Sequence, residues 1–347
     1  MPKTYRAAVI GRTGKGDYGH GVDTVWKELP NVELLAVADD NKEGLAKAAQ
    51  RLSLTKAYAD YRQMLDEIKP DIVGIGPRWI DQHRDMVLAA AERGIHIYME
   101  KPFCRSLEEA DEIVAACERT HVKLAIAHQT HYSPKTAVVK QLLAEGKLGR
   151  VLEYRGRGKE DASRGGGEDL WVLGSHVMDL IRHLGGEPTW CQSIVLQKGQ
   201  PIQKSDVKDG NEGIGPLAGD EVHATYGLAS GAIARFDSVR GAGAKLSRFG
   251  LQIYGSNGVL EIVTGSLPSV KFLDDGSWSP GRSGAQWQNV SSAGIGQPEP
   301  LADGGLGGGN VMAVQDLIAA IEEDRQPLCG IYEGRGSVEM IAAIFES

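Results

Sequence analysis

No run of lysine or arginine occurs anywhere in this chain, and its formal net charge is -8. Nucleic acids and anionic membrane surfaces both need a basic footprint, so neither is an expected partner. Small neutral or anionic ligands fit the balance. The four cysteines, Cys104, Cys117, Cys191 and Cys329, lie far apart with no paired spacing. That pattern suits reduced thiols in a cytoplasm better than a disulfide framework or a zinc site. No apolar run is long enough to span a bilayer, and Met1-Pro2-Lys3-Thr4 leads straight into an apolar strand with nothing like a signal peptide before it. The expectation is a cytoplasmic protein. Internal repeats are missing too, and the one biased stretch, Gly304 to Gly309, is nearly all glycine and reads as a mobile or sharply bent loop.

At 347 residues the chain is long for one core, so two domains are expected. Arg6 to Ile10 is a short apolar run ending in Gly11-Arg12-Thr13-Gly14-Lys15-Gly16-Asp17-Tyr18-Gly19, after which Val22, Val25, Trp26 and Leu29 recur at helical spacing. Strand, glycine loop, helix is the order of a phosphate cradle. Glycines let the backbone approach a pyrophosphate, and free N–H groups at the helix start attract its charge. Gly14, Gly16 and Gly19 match a GxGxxG spacing, but Gly11 is the glycine that follows the strand, so the loop reads as longer than standard. Val32 to Ala38 is a second strand ending in Asp39-Asp40. A carboxylate there accepts from both ribose hydroxyls of an adenosine and repels a 2′-phosphate, which predicts NAD over NADP. Because Asp40-Asn41-Lys42-Glu43 also reads as a capping box, the ribose is assigned to Asp39.

Asp71 to Ile75 is another strand, followed by Gly76-Pro77-Arg78-Trp79 and a helix containing His83. Pro77 and Trp79 are candidates to wall the nicotinamide side of a crevice. His83 sits early enough in its helix to face that crevice, or to pack the helix onto the loop. Ile95 to Met99 then reads as a buried strand delivering Glu100-Lys101-Pro102 to its carboxyl end, where open parallel sheets place ligands. Pro102 lacks a backbone donor and restricts Lys101 to an extended or otherwise fixed geometry. Lys123 to Ala127 adds one more strand, and the alternation predicts a parallel sheet.

Beyond residue 128 the texture changes, which sets the expected domains at 1–128 and 129–347. Val151 to Arg157, Trp190 to Gln197, Val222 to Leu228, Ala232 to Val239, Phe249 to Tyr254, Val259 to Val263 and Val270 to Leu273 read as strands separated by turns, a mainly antiparallel sheet with one covered face. A helix carries His176-Val177-Met178-Asp179-Leu180. Its spacing puts His176 and Asp179 on one side, so Asp179 can orient or charge-stabilise a histidine that would otherwise read as an interior one. Asn310 reads as the N-cap of a helix from Val311 to Glu322. His128 and His131 have a spacing that suits a metal on a helical turn, but they fall in a loop with no third ligand, so no metal is expected.

The glycine loop, Asp39, Glu100-Lys101-Pro102 and His176-Val177-Met178-Asp179, in that order, resemble the Gfo/Idh/MocA family of oxidoreductases over nearly the whole length. The resemblance implies an α/β fold: an N-terminal Rossmann domain for the dinucleotide, and a C-terminal α/β domain with a large, mainly antiparallel open sheet that floors the substrate site. It also implies a homodimer or homotetramer, and a substrate among sugars, sugar derivatives and cyclitols. Carried onto this chain, Lys101 lies near the nicotinamide and the reacting hydroxyl, with Glu100 beside it, and His176 faces the same hydroxyl from the other domain. Hydride leaves a carbinol carbon readily only as the hydroxyl proton is taken, and a lysine or imidazole beside a cationic nicotinamide can take it near neutral pH. The expected catalytic set is therefore Lys101, His176 and Asp179, and the expected substrate contacts are Lys101, His131, Tyr132, Arg157, Trp171 and His176. Two departures stand out. Val172 occupies the position four before the histidine where the family often has an acid, leaving Asp169 or Glu168 as replacements, and His131 stands where an arginine is common. Two rival readings keep the scaffold: a redox-neutral glycosidase, lyase or epimerase working through a transient keto-sugar, and a non-catalytic NAD- or sugar-sensing regulator.

Overall fold

Unbroken apolar runs such as Ala7–Ile10 and Ile72–Ile75 demand cover on both faces, and they find it in a parallel sheet. The computed structural model describes residues 3–245 and 247–347. Its first part contains β1 (Tyr5–Ile10), β2 (Val32–Ala38), α1 (Lys42–Leu52), β3 (Lys56–Tyr58), α2 (Tyr61–Ile68), β4 (Ile72–Ile75), α3 (His83–Ala91), β5 (His96–Met99), α4 (Leu107–Thr120) and β6 (Leu124–Ile126). The six strands are all parallel, in the order β3-β2-β1-β4-β5-β6. The order reverses between β1 and β4, and ligands of such sheets bind at that point, beyond the carboxyl ends. The α-helix expected after the glycine loop is not there; a four-residue 3₁₀ turn, Val25–Glu28, takes its place. Gly21 at φ +92° breaks the lead-in, and the β-branched Val22 and Val25 are drawn into the core with Trp26. Trp26 meets Tyr98 edge-on at 6.4 Å and 80°, a contact worth about 1 kcal/mol beyond its burial.

The second part runs through α5 (Pro134–Ala144), β7 (Val151–Arg157), α6 (Gly167–Asp169), a π-helical turn Leu170–Gly174 and α7 (Ser175–Gly185). The strands β8 (Pro188–Gln197), β9 (Gln200–Pro201), β10 (Lys208–Asp209), β11 (Pro216–Leu217), β12 (Glu221–Leu228), β13 (Ile233–Val239), β14 (Gly250–Gly255), β15 (Val259–Val263) and β16 (Ser269–Leu273) follow, then α8 (Pro280–Ser283), β17 (Gln288–Ser291) and β18 (Gly294–Ile295). Ten of these strands form one sheet in the order β18-β17-β16-β15-β14-β7-β13-β12-β8-β9. Only the β13–β7 pairing within it is parallel. Strand alternation divides its faces: Tyr154, Ala234 and Ile253 are in register and buried, while Arg155, Arg235 and Gln252 stand on the opposite, open face. Helix α7 covers the buried face. A side chain at Gly156 would come within 2.5 Å of Val177, so only glycine lets the helix lie that close.

Two last helices are α9 (Gly305–Glu322) and α10 (Ile331–Glu346). By its contacts the chain divides into two units, each built from more than one segment. The first unit runs to Gln129 and recovers Asn211–Gly215 and Leu306–Val338; the second takes Thr130–Gly210, Pro216–Gly305 and Glu339–Ser347. Within the first unit the returning segment completes the sheet: Ile126 N–H donates to Cys329 O at 3.0 Å, Tyr5 Oη donates to Glu322 at 3.2 Å, and Gly334 lies against Phe103 and Ile126. The glycine run does not form the bent loop expected of it; most of it is the first turns of α9, which places Asn310 inside the helix and not at its cap. Buried there, Asn310 accepts from Tyr98 Oη at 2.8 Å and from Gln129 Nε2 at 3.0 Å, and donates to His20 O at 2.9 Å. Those bonds offset the low helix propensity of glycine.

Candidate active site

In the first unit, the loop after β1 is held from several sides. Gly14 N–H donates to Asp17 Oδ1 at 2.9 Å, and Arg12 and Asp17 pair as an isolated bridge, making a tight turn. Arg12 grips Asp81 with one guanidinium nitrogen at 2.8 and 2.9 Å from its two oxygens. Lys15 lies over the Trp79 ring, 4.1 Å from its centroid. Gly16 at φ +84° and Gly19 at φ +62° are required twice over, since a Cβ would fall 2.4 Å from Arg78 N or from Glu100 Cγ. Gly11 leaves room for the Tyr18 ring. Gly14 alone of the four faces open space, with nothing within 4 Å of its Cβ position. With no α-helix following, the loop's own N–H groups are what a phosphate would meet, and not a helix terminus.

Asp39 is 2% exposed, and its carboxylate is filled. Thr13 N–H lies 3.1 Å from both oxygens, Thr13 Oγ1 donates at 2.6 Å and Asn41 N–H at 2.9 Å. Thr13 in turn packs on Gly44. The cap of α1 is Asn41, whose side chain accepts from Gly44 N–H at 2.9 Å, so Asp40 is not used by the cap expected of it. A cavity of about 260 Å³ opens where β1 and β2 end, lined among others by Arg12, Asp39, Asp40, Asp60, Tyr61 and Arg62. Carboxylates facing a cavity of this kind fit the ribose hydroxyls of NAD.

Lys101 stands at the end of β5, 5% exposed, with a cis Lys101–Pro102 peptide. Glu100 beneath it accepts from His20 N–H at 2.8 Å, from His20 Nδ1 at 2.7 Å and from Lys101 N–H at 3.1 Å. Burial raises the carboxyl pKa of Glu100, but the His20 hydrogen bond and the Lys101 charge outweigh it and bring the net below the ordinary value. Glu100 therefore ties the glycine loop to the lysine. His83 is fully buried, one ring nitrogen 2.8 Å from Pro102 O and the other 2.7 Å from Pro77 O. Both ring nitrogens are thereby taken, and His83 staples the loops after β4 and β5 together through the carbonyls of Pro77 and Pro102. Lys15, at a variable position of the glycine loop, and His20, just beyond it, were not singled out in the sequence, since each is defined by a partner far along the chain.

The second unit assembles a different group. His131 Nδ1 lies 2.8 and 3.1 Å from the oxygens of Asp179, both side chains buried. The carboxylate that helical spacing assigned to His176 is thus engaged by His131. His183 lies tilted against His131 at 47° with centroids 3.8 Å apart, and burial, then the His131 charge, depress its pKa to about 3. His176, half-buried, meets Phe249 edge-on at 6.1 Å. Tyr132 is buried with its ring 5.8 Å from His131, and Trp171 is buried on the π-helical turn beside Val172. Asp169 points at Ser238 Oγ (2.6 Å) and Glu160 N–H (3.1 Å), and Glu168 lies 3.5 Å from Arg240. Arg157 leaves the expected set: period-two alternation turns it away from the α7 face, where it pairs with Glu160 at 3.0 and 3.1 Å and lines a cavity on the open face of the sheet.

Residues 5–128 match the model of an oxidoreductase family, NAD-binding Rossmann fold, and residues 140–347 match that family's C-terminal alpha/beta domain. The chain belongs to the Gfo/Idh/MocA oxidoreductases. Similar curated members include levoglucosan dehydrogenase of Pseudarthrobacter phenanthrenivorans, 28% identical over 64% of this chain and 63% of that protein. Another is scyllo-inositol 2-dehydrogenase (NAD(+)) of Bacillus subtilis, 27% identical over 54% of this chain and 50% of that protein. The matches thus span less than two thirds of those relatives' lengths. A levoglucosan dehydrogenase structure in complex with NADH superposes with a TM-score of 0.80 over 99% of this chain and 96% of that one, at 22% identity, a likeness of fold. No helix of this Gfo/Idh/MocA chain is long and apolar enough to cross a membrane, among the described residues.

Proposed function

We propose that this Gfo/Idh/MocA protein is an NAD-dependent dehydrogenase that oxidises or reduces a secondary hydroxyl of a sugar, sugar derivative or cyclitol. The observation that carries the reading is Lys101, a nearly buried amine fixed at the end of β5 by Glu100 and by the His83 staple. NAD, when bound, supplies a hydride acceptor, and Arg12, Gly14, Lys15, Asp40 and Trp79 are the groups that would hold it. Lys101 Nζ takes the hydroxyl proton, and His176 on α7 is the second acid/base residue that the family resemblance implies. Asp179 fixes the ring of His131, which with Tyr132 and Trp171 orients the substrate's other hydroxyls. Relatives named for levoglucosan and scyllo-inositol, both polyhydroxylated rings, support this substrate class. The reading includes a homodimer or homotetramer, for which Trp190 and Ile194, 49% and 59% exposed on β8, offer apolar surface.

The test is the absorbance of reduced nicotinamide during incubation with a panel of anhydrosugars, aldoses and inositols. Wild type accumulates NADH with at least one of them, and Lys101→Met slows this by about 100-fold or more while still binding NAD. Product formation without NADH would move the protein to the redox-neutral class. Undiminished turnover by Lys101→Met would remove the lysine from its role.

A further inference from the structure

His20 lies just beyond the glycine loop, and its backbone N–H and ring Nδ1 supply two of the three donors that fill the Glu100 carboxylate. A carboxylate only 1% exposed stays ionised by virtue of such donors. His20 is in turn held from behind. Its carbonyl accepts from Asn310 Nδ2 at 2.9 Å, and the Asn310 oxygen accepts from Tyr98 Oη at 2.8 Å and from Gln129 Nε2 at 3.0 Å. Tyr98 stands on β5, so these bonds close a ring that starts and ends on the strand delivering Glu100 and Lys101. Left-handed glycines on either side of His20 shape the loop to fit. Gly19 at φ +62° lies against the Glu100 side chain, and Gly21 at φ +92° has its Cβ position 3.6 Å from Asn310 Nδ2. All of these residues belong to the first unit.

We propose that His20 and Asn310 are positioning residues for Lys101, acting through Glu100, so that α9, far along the chain, helps to set the base. The inference rests on the dehydrogenase reading above. Lys101 Nζ takes a hydroxyl proton efficiently only from a fixed approach, since a displacement of about 1 Å costs such a step roughly 100-fold. The backbone N–H of Lys101 is fixed on Glu100 Oε2 at 3.1 Å, and Glu100 Oε1 is fixed on His20 at 2.7 and 2.8 Å. Without the His20 ring the buried carboxylate loses its closest donor and the strongest influence that holds its pKa down. Burial then favours the neutral acid, and the negative charge beside the lysine goes with it. The loss falls on the proton step and not on the hold of the cofactor.

The experiment is a double-mutant cycle on His20→Ala and Glu100→Gln, with His20→Asn as the conservative variant, each shown by circular dichroism to be folded at the assay temperature. NADH formation with the panel of sugars and inositols gives kcat and KM, and tryptophan fluorescence gives the Kd for NAD. His20→Ala is expected to lower kcat by about 10-fold or more while the Kd for NAD stays within about 3-fold. His20→Asn, whose amide N–H overlays Nδ1, returns kcat to within about 3-fold of wild type. The double variant falls no further than the worse single one, to within about 2-fold. In parallel, Lys101 is labelled with acetic anhydride and followed by peptide mass spectrometry; His20→Ala and Asn310→Ala speed its acetylation by about 10-fold, and His20→Asn does not. The proposal is overturned if the two losses in the cycle multiply, if His20→Ala weakens NAD and leaves kcat alone, or if Lys101 is labelled at the wild-type rate in both alanine variants. Labelling needs no substrate, so a wild type that forms no NADH fails the dehydrogenase reading while the positioning of Lys101 is still decided by its acetylation.

Discussion

Asp169 keeps one carboxylate oxygen buried without a hydrogen-bond partner while the other takes Ser238 and the Glu160 N–H. Burial outweighs those two bonds and raises its pKa from 3.8 to about 6. A raised folded-state value means that the contribution to stability is complete below pH ~4 and is lost as pH climbs through about 6. Asp169→Asn keeps an acceptor for Ser238 and carries no charge. It should flatten the stability curve between those limits and gain up to ~3 kcal/mol above them, read from urea unfolding across a pH series. Residues of this sort mark the boundary of what a sequence shows. The ends of β2 and β5 were legible because strand and loop follow a local pattern, which is why Asp39, Asp40 and Lys101 were placed at carboxyl ends of the sheet. That Thr13 and Asn41 occupy the Asp39 carboxylate was not, because those bonds depend on how the loop folds back.

Among elements, seven of the ten strands of the large sheet were read to within a residue or two, β7 and β15 to the residue, because alternation is a local signal of a half-covered face, whereas the short β9, β17 and β18 were not read. β3 escaped notice, since Lys56-Ala57-Tyr58 is too short to show any period. Two helices went wrong for opposite reasons. Val22 to Leu29 has helical spacing but folds as a 3₁₀ turn under the pull of the core, whereas Gly305 to Gly309 has little helical propensity and is helical all the same. Asn310 decides the second case. Replacing it with alanine leaves the buried Tyr98 hydroxyl and Gln129 amide without their acceptor and frees the His20 carbonyl. The expected cost is on the order of 3 kcal/mol, measured as a lower denaturant midpoint with an unchanged slope.

For the whole molecule, the sequence showed two domains but not their weaving, because the contacts that return Leu306–Val338 to the first unit pair residues from opposite ends of the chain. A chain stopped after residue 305 should therefore not leave a sound dinucleotide domain behind. Ile126 would lose the Cys329 carbonyl, Phe103 its cover at Gly334, and Tyr5 and Tyr98 their acceptors. Near-ultraviolet circular dichroism should show its aromatic signals broadened or lost, and thermal unfolding should lose its cooperativity. The same weaving governs how the protein is born. Many chains fold their amino-terminal domain while the ribosome is still at work, but here the first sheet must wait, partly uncovered, until the whole second sheet has been translated and residues 306–338 follow it out of the exit tunnel. A chaperone able to shield that waiting surface should therefore raise the yield of folded protein, measured by co-expression.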